Sequence, residues 1–331
     1  MVILREGLCP GLSAGLVAAL KKNNVKTVLD LVASDSEELA RKCSLSYKAL
    51  VAVRRVLLAH YSAFPSNGAD VYEELKTSTA ILSTGNRKLD KLLDSGLYTG
   101  EVTEIAGAAG SGKTQMCQSI AVNVAYNLKQ SVLYVDTTGG LTASCILQLL
   151  QHRTENENEQ VASLQKIEVI RVFDVYKLLN VFQDIRHNIS QQLLRSGKPL
   201  KLVIVDSVCA VIYPLLGGKQ SEGMAIMMQL ARELQSLAHD YSLSVLITNN
   251  ITKDNASGIR PALGRSWSFV PRTRILLNRN VFEEGGHCTV ALIKSPRQAT
   301  NLRMKLDFGG CGVLEDNNMG SSTGSSCKKN D

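Results

Sequence analysis

Gly107-Ala108-Ala109-Gly110-Ser111-Gly112-Lys113-Thr114 is an unbroken GxxxxGKT, preceded by the apolar run Glu101-Val102-Thr103-Glu104-Ile105-Ala106 and followed by a helix-like pattern. Strand, glycine-rich turn, helix is the setting of a phosphate cradle. The glycines let the backbone turn so that several N–H groups face one anion, Lys113 adds a point charge for the β- and γ-phosphates, and the Thr114 hydroxyl is a ligand for Mg²⁺. Gly107, Ala108, Ala109, Gly110, Ser111, Gly112, Lys113 and Thr114 are therefore expected to bind nucleotide, with ATP and Mg²⁺ as cofactors.

Outward from the cradle, apolar runs alternate with helical periodicities. Strands are expected at 101–106, 131–136, 167–172, 201–206 and 243–249, and helices at 113–128, 141–151, 175–195 and 223–239. Such alternation predicts an α/β fold, a P-loop NTPase core with a mainly parallel sheet. Runs at 273–277 and 289–293 extend the sheet with antiparallel members, and the charged, Asn-rich stretch 153–160 reads as an exposed loop.

The cradle has companions. Lys201-Leu202-Val203-Ile204-Val205-Asp206 is an apolar strand ending in an acid, which suits the carboxylate that holds the water shell of Mg²⁺ opposite Thr114; Asp206 is alternatively a cap for the helix-like run after Ser207. Ser244-Val245-Leu246-Ile247-Thr248 ends in Asn249-Asn250 at the carboxyl edge of the sheet, where ligands bind in open α/β folds. Those amides either sense the γ-phosphate or simply end the strand.

Residues 1–61 form the first expected domain, a small all-α bundle of four or five short helices preceding the core. Ser13 and Ser36 are its candidate N-caps, and Leu45-Ser46-Tyr47-Lys48-Ala49 is the turn into a last, basic helix. Residues 1–60 hold nine Lys or Arg against five Asp or Glu, read either as a solvated surface or as phosphate-backbone contacts. A linker is expected at 62–80, the ATPase domain at 81–314 and a disordered tail at 315–331.

The 331 residues are 44% hydrophobic with a formal charge of +7, enough for a sizeable core and compatible with an anionic partner. No apolar run approaches the roughly 20 residues that span a bilayer, so no membrane partner is expected. The eight cysteines show no CxxC or Cys/His metal spacing and read as reduced, packed thiols of an intracellular protein.

Leu82-Ser83-Thr84-Gly85-Asn86-Arg87-Lys88-Leu89-Asp90-Lys91-Leu92-Leu93 and Gly96-Leu97-Tyr98-Thr99-Gly100-Glu101-Val102-Thr103-Glu104-Ile105 lead into the cradle. With Ala262-Leu263-Gly264-Arg265-Ser266-Trp267 and the N-terminal helices, this chain resembles RecA-family recombinases of the eukaryotic type over nearly all of residues 1–310. Among them it is most similar to a paralogue of the strand-exchange recombinase. The resemblance implies a RecA-like core, a helix-hairpin-helix-like N-terminal domain for DNA or partners, and a nuclear ATP-binding mediator. Such a mediator would act on single-stranded or branched DNA, in a hetero-oligomer with other paralogues, during homologous recombination repair of double-strand breaks and stalled forks. The alternative is an autonomous DNA-dependent ATPase, a strand-exchange recombinase or a helicase.

Departures from the family pattern shape the expected chemistry. Where active recombinases carry an acid that activates water, Tyr134-Val135-Asp136-Thr137-Thr138-Gly139-Gly140 has Thr138, whose hydroxyl is no general base near neutral pH. Slow turnover is expected, with Lys113, Asp136 and Asn250 as the remaining catalytic candidates. Ile293-Lys294-Ser295-Pro296 carries a lysine where the family has an acid on a segment capping the neighbouring subunit's ATP. Lys294 is either a cation donated in trans or a solvated lysine.

The segment from Ile251 to Arg274 holds five cations and two aromatics, a composition for phosphate tracking and stacking, with Lys253, Arg260 and Arg265 as DNA contacts and one of Trp267 and Phe269 in the core. Lys219 is the one cation in the family's other DNA-facing loop, near 215–222. The linker has Tyr72 with Leu75, where the family's self-assembly motif expects a small residue.

Overall fold

The computed structural model describes residues 3–44, 46–61, 65, 67–192, 200–217, 220–254, 258–279 and 287–308. The chain divides into two compact units, Met1–Glu74 and Leu75–Asp331.

The first unit contains α1 (Ala14–Lys22), α2 (Val28–Ala33), α3 (Ser36–Cys43) and α4 (Tyr47–Tyr61), and α5 (Gly68–Ser78) crosses the division. Leu20, Leu31, Leu50 and Leu57, placed inward by helical spacing, pack its core together with Leu4 from the segment before α1. Ser13 caps α1 as expected, accepting from the Leu16 N–H, and Thr27 with Asp30 forms a capping box on α2. The cap of α3 is Asp35 rather than Ser36. Its carboxylate accepts from the N–H groups of Glu37 and Glu38 at 2.9 and 2.8 Å, two bonds to an anion where a serine offers one neutral acceptor. Within the linker expected at 62–80 the chain forms α5, for which no helical pattern was read. Its apolar positions Val71, Tyr72 and Leu75 are exposed, and so few of them gave no helical signal.

The second unit begins with β1 (Ile81–Leu82), α6 (Arg87–Leu92) and β2 (Leu97–Tyr98). Then follow β3 (Val102–Gly107), α7 (Lys113–Tyr126), β4 (Ser131–Asp136), α8 (Ala143–Gln151), α9 (Glu157–Leu164), β5 (Ile167–Arg171), α10 (Val175–Gln192) and β6 (Leu200–Asp206). The remainder is α11 (Val208–Leu216), α12 (Gln220–Asp240), β7 (Ser244–Asn249), β8 (Ile251–Asp254), β9 (Gly258–Pro261), α13 (Gly264–Trp267), β10 (Thr273–Arg279), β11 (His287–Lys294) and β12 (Arg303–Asp307). The loop expected at 153–160 is overtaken by α9, which Asn156 caps through its side chain.

The sheet runs β12-β11-β10-β3-β7-β6-β4-β5. The strands from β10 to β5 pair in parallel, and β11 and β12 add antiparallel members at one edge. One core, with Ile105, Met116, Ile120 and Tyr134, lies under α7; the other, with Val203, Phe182, Leu234 and Trp267, lies under α10 to α13. Burial on both faces explains why the central strands read as unbroken apolar runs. The carboxyl ends of β3, β4, β6 and β7 share one edge, which brings residues 107–114, 136–140, 206 and 249–250 together.

Candidate nucleotide-binding site

The cradle is shaped by positions that exclude a side chain. Gly112 is left-handed at φ 98°, and a Cβ there would lie 2.9 Å from the Phe308 ring; a Cβ on Gly107 would lie 2.4 Å from Ser111 Oγ. Gly112 is also the N-cap of α7 with no side-chain cap bond, so the first N–H groups of this 14-residue helix have no side chain competing for an anion. Lys113 Nζ donates to the carbonyls of Gly107 and Ala108, each at 2.8 Å. Burial draws its pKa down, and the charge of Asp206 opposes that shift.

Asp206 forms the other wall. Its Oδ2 accepts from Thr114 Oγ1 at 2.7 Å and from Tyr134 Oη at 2.9 Å, while Oδ1 accepts from Thr248 Oγ1. The helix-cap alternative for Asp206 falls away, because Ser207 caps α11 through the Ala210 N–H. Burial holds the Tyr134 phenol protonated, well above its usual pKa, and keeps it a donor. A hydroxyl and a carboxylate within 2.7 Å of one another are hard oxygen donors of the kind that suit Mg²⁺ and its water shell. The residues present therefore fit the metal that a phosphate cradle implies.

Asp136 is placed differently from its expected role as a spare base. Its Oδ1 accepts from the N–H groups of Thr138 and Gly139 at 3.0 and 2.8 Å and from Thr138 Oγ1 at 3.3 Å; its Oδ2 accepts from the Leu141 N–H at 3.2 Å. The side chain is fully buried. It organises the 137–141 turn, and neither of its oxygens is exposed to solvent. Thr138 is exposed at the lip of the site, and an ideal Cβ on Gly140 would lie 3.3 Å from its Oγ1 and 4.0 Å from Thr114 Oγ1.

Asn250 is exposed just after β7; burial raises the pKa of the Cys209 thiol, and the backbone N–H and side chain of Asn250 oppose that rise. Lys294 Nζ donates to the carbonyls of Ser268 and Pro271 at 2.9 and 2.7 Å, so in this chain it is neither a solvated lysine nor extended toward a neighbour.

Of the expected DNA contacts, Arg265 and Arg260 are exposed. Lys253 pairs with Ile259, and Arg260 with Thr252, in the antiparallel ribbon β8–β9. Lys219 and the side chain of Lys253 lie outside the described residues, as does the expected tail at 315–331. Trp267 is fully buried and Phe269 is 81% exposed, so the two aromatics divide between core and surface. Arg274, counted among the basic residues of this segment, is buried in an ion pair with Glu104.

Tyr134, Thr248 and Glu104 were not singled out from the sequence. Thr248 follows the β6–β7 register pair Val205–Ile247 by one residue and so stands beside Asp206. That alignment was the one available signal.

A family model described as Rad51 matches residues 76–282, more than half of the chain. The chain belongs to the Rad51 family. Residues 1–60 match a second model, the RAD51D N-terminal domain, which puts the chain on the D-paralogue branch. It is 60% identical over 316 residues to the Bos taurus protein named DNA repair protein RAD51 homolog 4, covering 95% of this chain and 97% of that one. The human DNA repair protein RAD51 homolog 2 is 26% identical, covering 86% of this chain and 83% of its own length. The Saccharomyces cerevisiae DNA repair protein RAD57 is 28% identical, covering 71% and 52%. The RecA-like core expected of the Rad51 family is the eight-stranded sheet described above. Among the described residues no helix is long and apolar enough to cross a membrane, and no three His, Cys, Asp or Glu gather as a metal cluster.

Proposed function

We propose that this Rad51-family paralogue works in homologous-recombination DNA repair as a mediator subunit that binds ATP·Mg²⁺ and turns it over slowly. One observation carries the reading: the cradle is intact while the wall opposite it holds no free carboxylate, Asp136 being engaged by the 137–141 turn and position 138 being threonine. Gly107 to Thr114 would hold the phosphates through N–H groups and Lys113. Thr114 would ligate Mg²⁺, with Asp206 acting through water; the ion would neutralise phosphate charge. Lys113 would leave the carbonyls of Gly107 and Ala108 for the nucleotide, a short movement within its own loop.

Partners are expected to be other paralogues of the family in a nuclear hetero-oligomer, with single-stranded or branched DNA met by Lys253, Arg260, Arg265 and Lys219. The exposed Arg260, Arg265 and Phe269 support a phosphate-tracking, stacking surface. For Lys294, the bonds to Ser268 and Pro271 favour a latch on its own chain, and a role in trans requires their release.

The test is equilibrium binding of a fluorescent ATP analogue to the full chain and to Thr114→Val, with Mg²⁺ and with EDTA. Mg²⁺-dependent binding that Thr114→Val weakens is the expected result. Binding indifferent to both would remove the site assignment.

A further inference from the structure

Glu104 lies in the middle of β3, three residues before the cradle begins at Gly107, and it has no exposed surface. A buried carboxylate is costly unless its oxygens are filled. Here they are filled from three elements. Oε1 accepts from Asn249 Nδ2 at 2.8 Å and from Trp267 Nε1 at 2.9 Å, and Oε2 accepts from Arg274 Nε, the residue beside it in the β3–β10 register.

The partners have a common location in the fold. Asn249 ends β7 immediately before the β8–β9 ribbon, and its Nδ2 also donates to the carbonyl of Ala262, the residue after the ribbon, at 3.1 Å. Ala262 N–H in turn donates to the Asn250 carbonyl at 2.8 Å. Asn249 therefore clamps both feet of the ribbon, and it is itself held only by its donors, because its buried Oδ1 has no partner. Trp267 closes the short helix after the ribbon, and Arg274 is the second residue of β10, the strand that carries the chain back beside the cradle strand.

We propose that Glu104 is a positioning residue that fixes the feet of the 251–261 ribbon to the cradle strand, so that nucleotide occupancy at 107–114 is felt at the ribbon through Asn249 and Trp267. The proposal rests on the nucleotide-binding reading above and adds the route by which the nucleotide site and the ribbon communicate. Trp267 is the sole tryptophan of the chain, so the network carries its own spectroscopic reporter. The indole N–H of that reporter is bonded to the carboxylate in question.

The experiment uses the full chain and Glu104→Gln. Trp267 emission is recorded while Mg²⁺·ATP analogue is titrated, binding is measured independently by calorimetry, and amide exchange across 250–262 is followed without nucleotide. In the native chain emission should change with the calorimetric Kd. In Glu104→Gln the Kd should stay within about threefold while the emission change is lost. Exchange at 250–262 should rise by about tenfold or more, as loosening a hydrogen bond to a charged group implies. A variant that is merely less stable but keeps the nucleotide-linked emission change would overturn the proposal, as would unchanged exchange. If calorimetry finds no nucleotide bound to the native chain, the binding reading fails, and the exchange comparison still decides whether Glu104 holds the ribbon. Should Glu104→Gln not fold, Asn249→Ser removes the clamp while leaving the Glu104–Arg274 pair, and the same emission and exchange outcomes apply.

Discussion

Replacing Thr138 by glutamate should convert a slow nucleotide binder into a measurable ATPase. Thr138 is exposed, and its Oγ1 and that of Thr114 flank the ideal Cβ of Gly140 at 3.3 and 4.0 Å, so the residue borders the space where Mg²⁺ and the γ-phosphate would sit. A glutamate adds two carbon–carbon bonds of reach, roughly 2.5 Å, toward that space. The cost is small: the substitution removes the 3.3 Å bond from Thr138 Oγ1 to Asp136 and leaves the three backbone donors on that carboxylate untouched. A positioned general base contributes about 10²–10⁴-fold, or about 3–5 kcal/mol of barrier. Phosphate release from pre-bound ATP in a single turnover is the direct assay, beside nucleotide affinity to show that binding is unaltered. A rate within twofold of the native chain at unchanged affinity would refute the reasoning, since the missing acid would then not be what limits hydrolysis.

Further expectations concern the walls of the site. Tyr134→Phe leaves Asp206 Oδ2 with Thr114 as its remaining side-chain donor, so stability should fall by about 1.5–3 kcal/mol, seen as a lower midpoint in thermal melting; an unchanged melt would contradict the role given to the phenol. Gly112→Ala combines a left-handed backbone with a Cβ 2.9 Å from the Phe308 ring and should destabilise by about 2–5 kcal/mol in urea unfolding; made in a Phe308→Ala background, the same substitution should cost only the backbone share. Burial pushes the Cys288 thiol from 9.0 up to about 11. An unfolded thiol then ionises first, so stability present below pH 9 is lost as pH rises toward 11. Urea midpoints at pH 8 and pH 10 should show this fall, and Cys288→Ala should reduce the slope by up to about 1.4 kcal/mol per pH unit.

The parts legible in the sequence were those in which one segment carries its own signal. GxxxxGKT needs only its neighbours in the chain to be read, and the central strands announce themselves because burial on both faces makes them continuous apolar runs. The parts that escaped depend on distant residues or lack a periodic pattern. α5 and α9 bury little apolar surface, so polar composition concealed them as linker and loop. β12, Arg303–Asp307, alternates charged and apolar residues at an edge and passed unnoticed. Asp136 stood where a base was wanted, and only the fold of the 137–141 turn shows both of its oxygens occupied. Glu104 looked like one polar residue in a strand, because its partners lie 145, 163 and 170 positions away.

Nucleotide binding and steady-state turnover by the purified chain, with and without single-stranded DNA and beside Lys113→Ala, test the central claim most directly. The account predicts Mg²⁺-dependent ATP binding that Lys113→Ala weakens, with turnover that remains slow when DNA is added. DNA-stimulated hydrolysis at the rate of an active motor, abolished by Lys113→Ala, would contradict it and would mean that a base outside residues 136–140 serves the site.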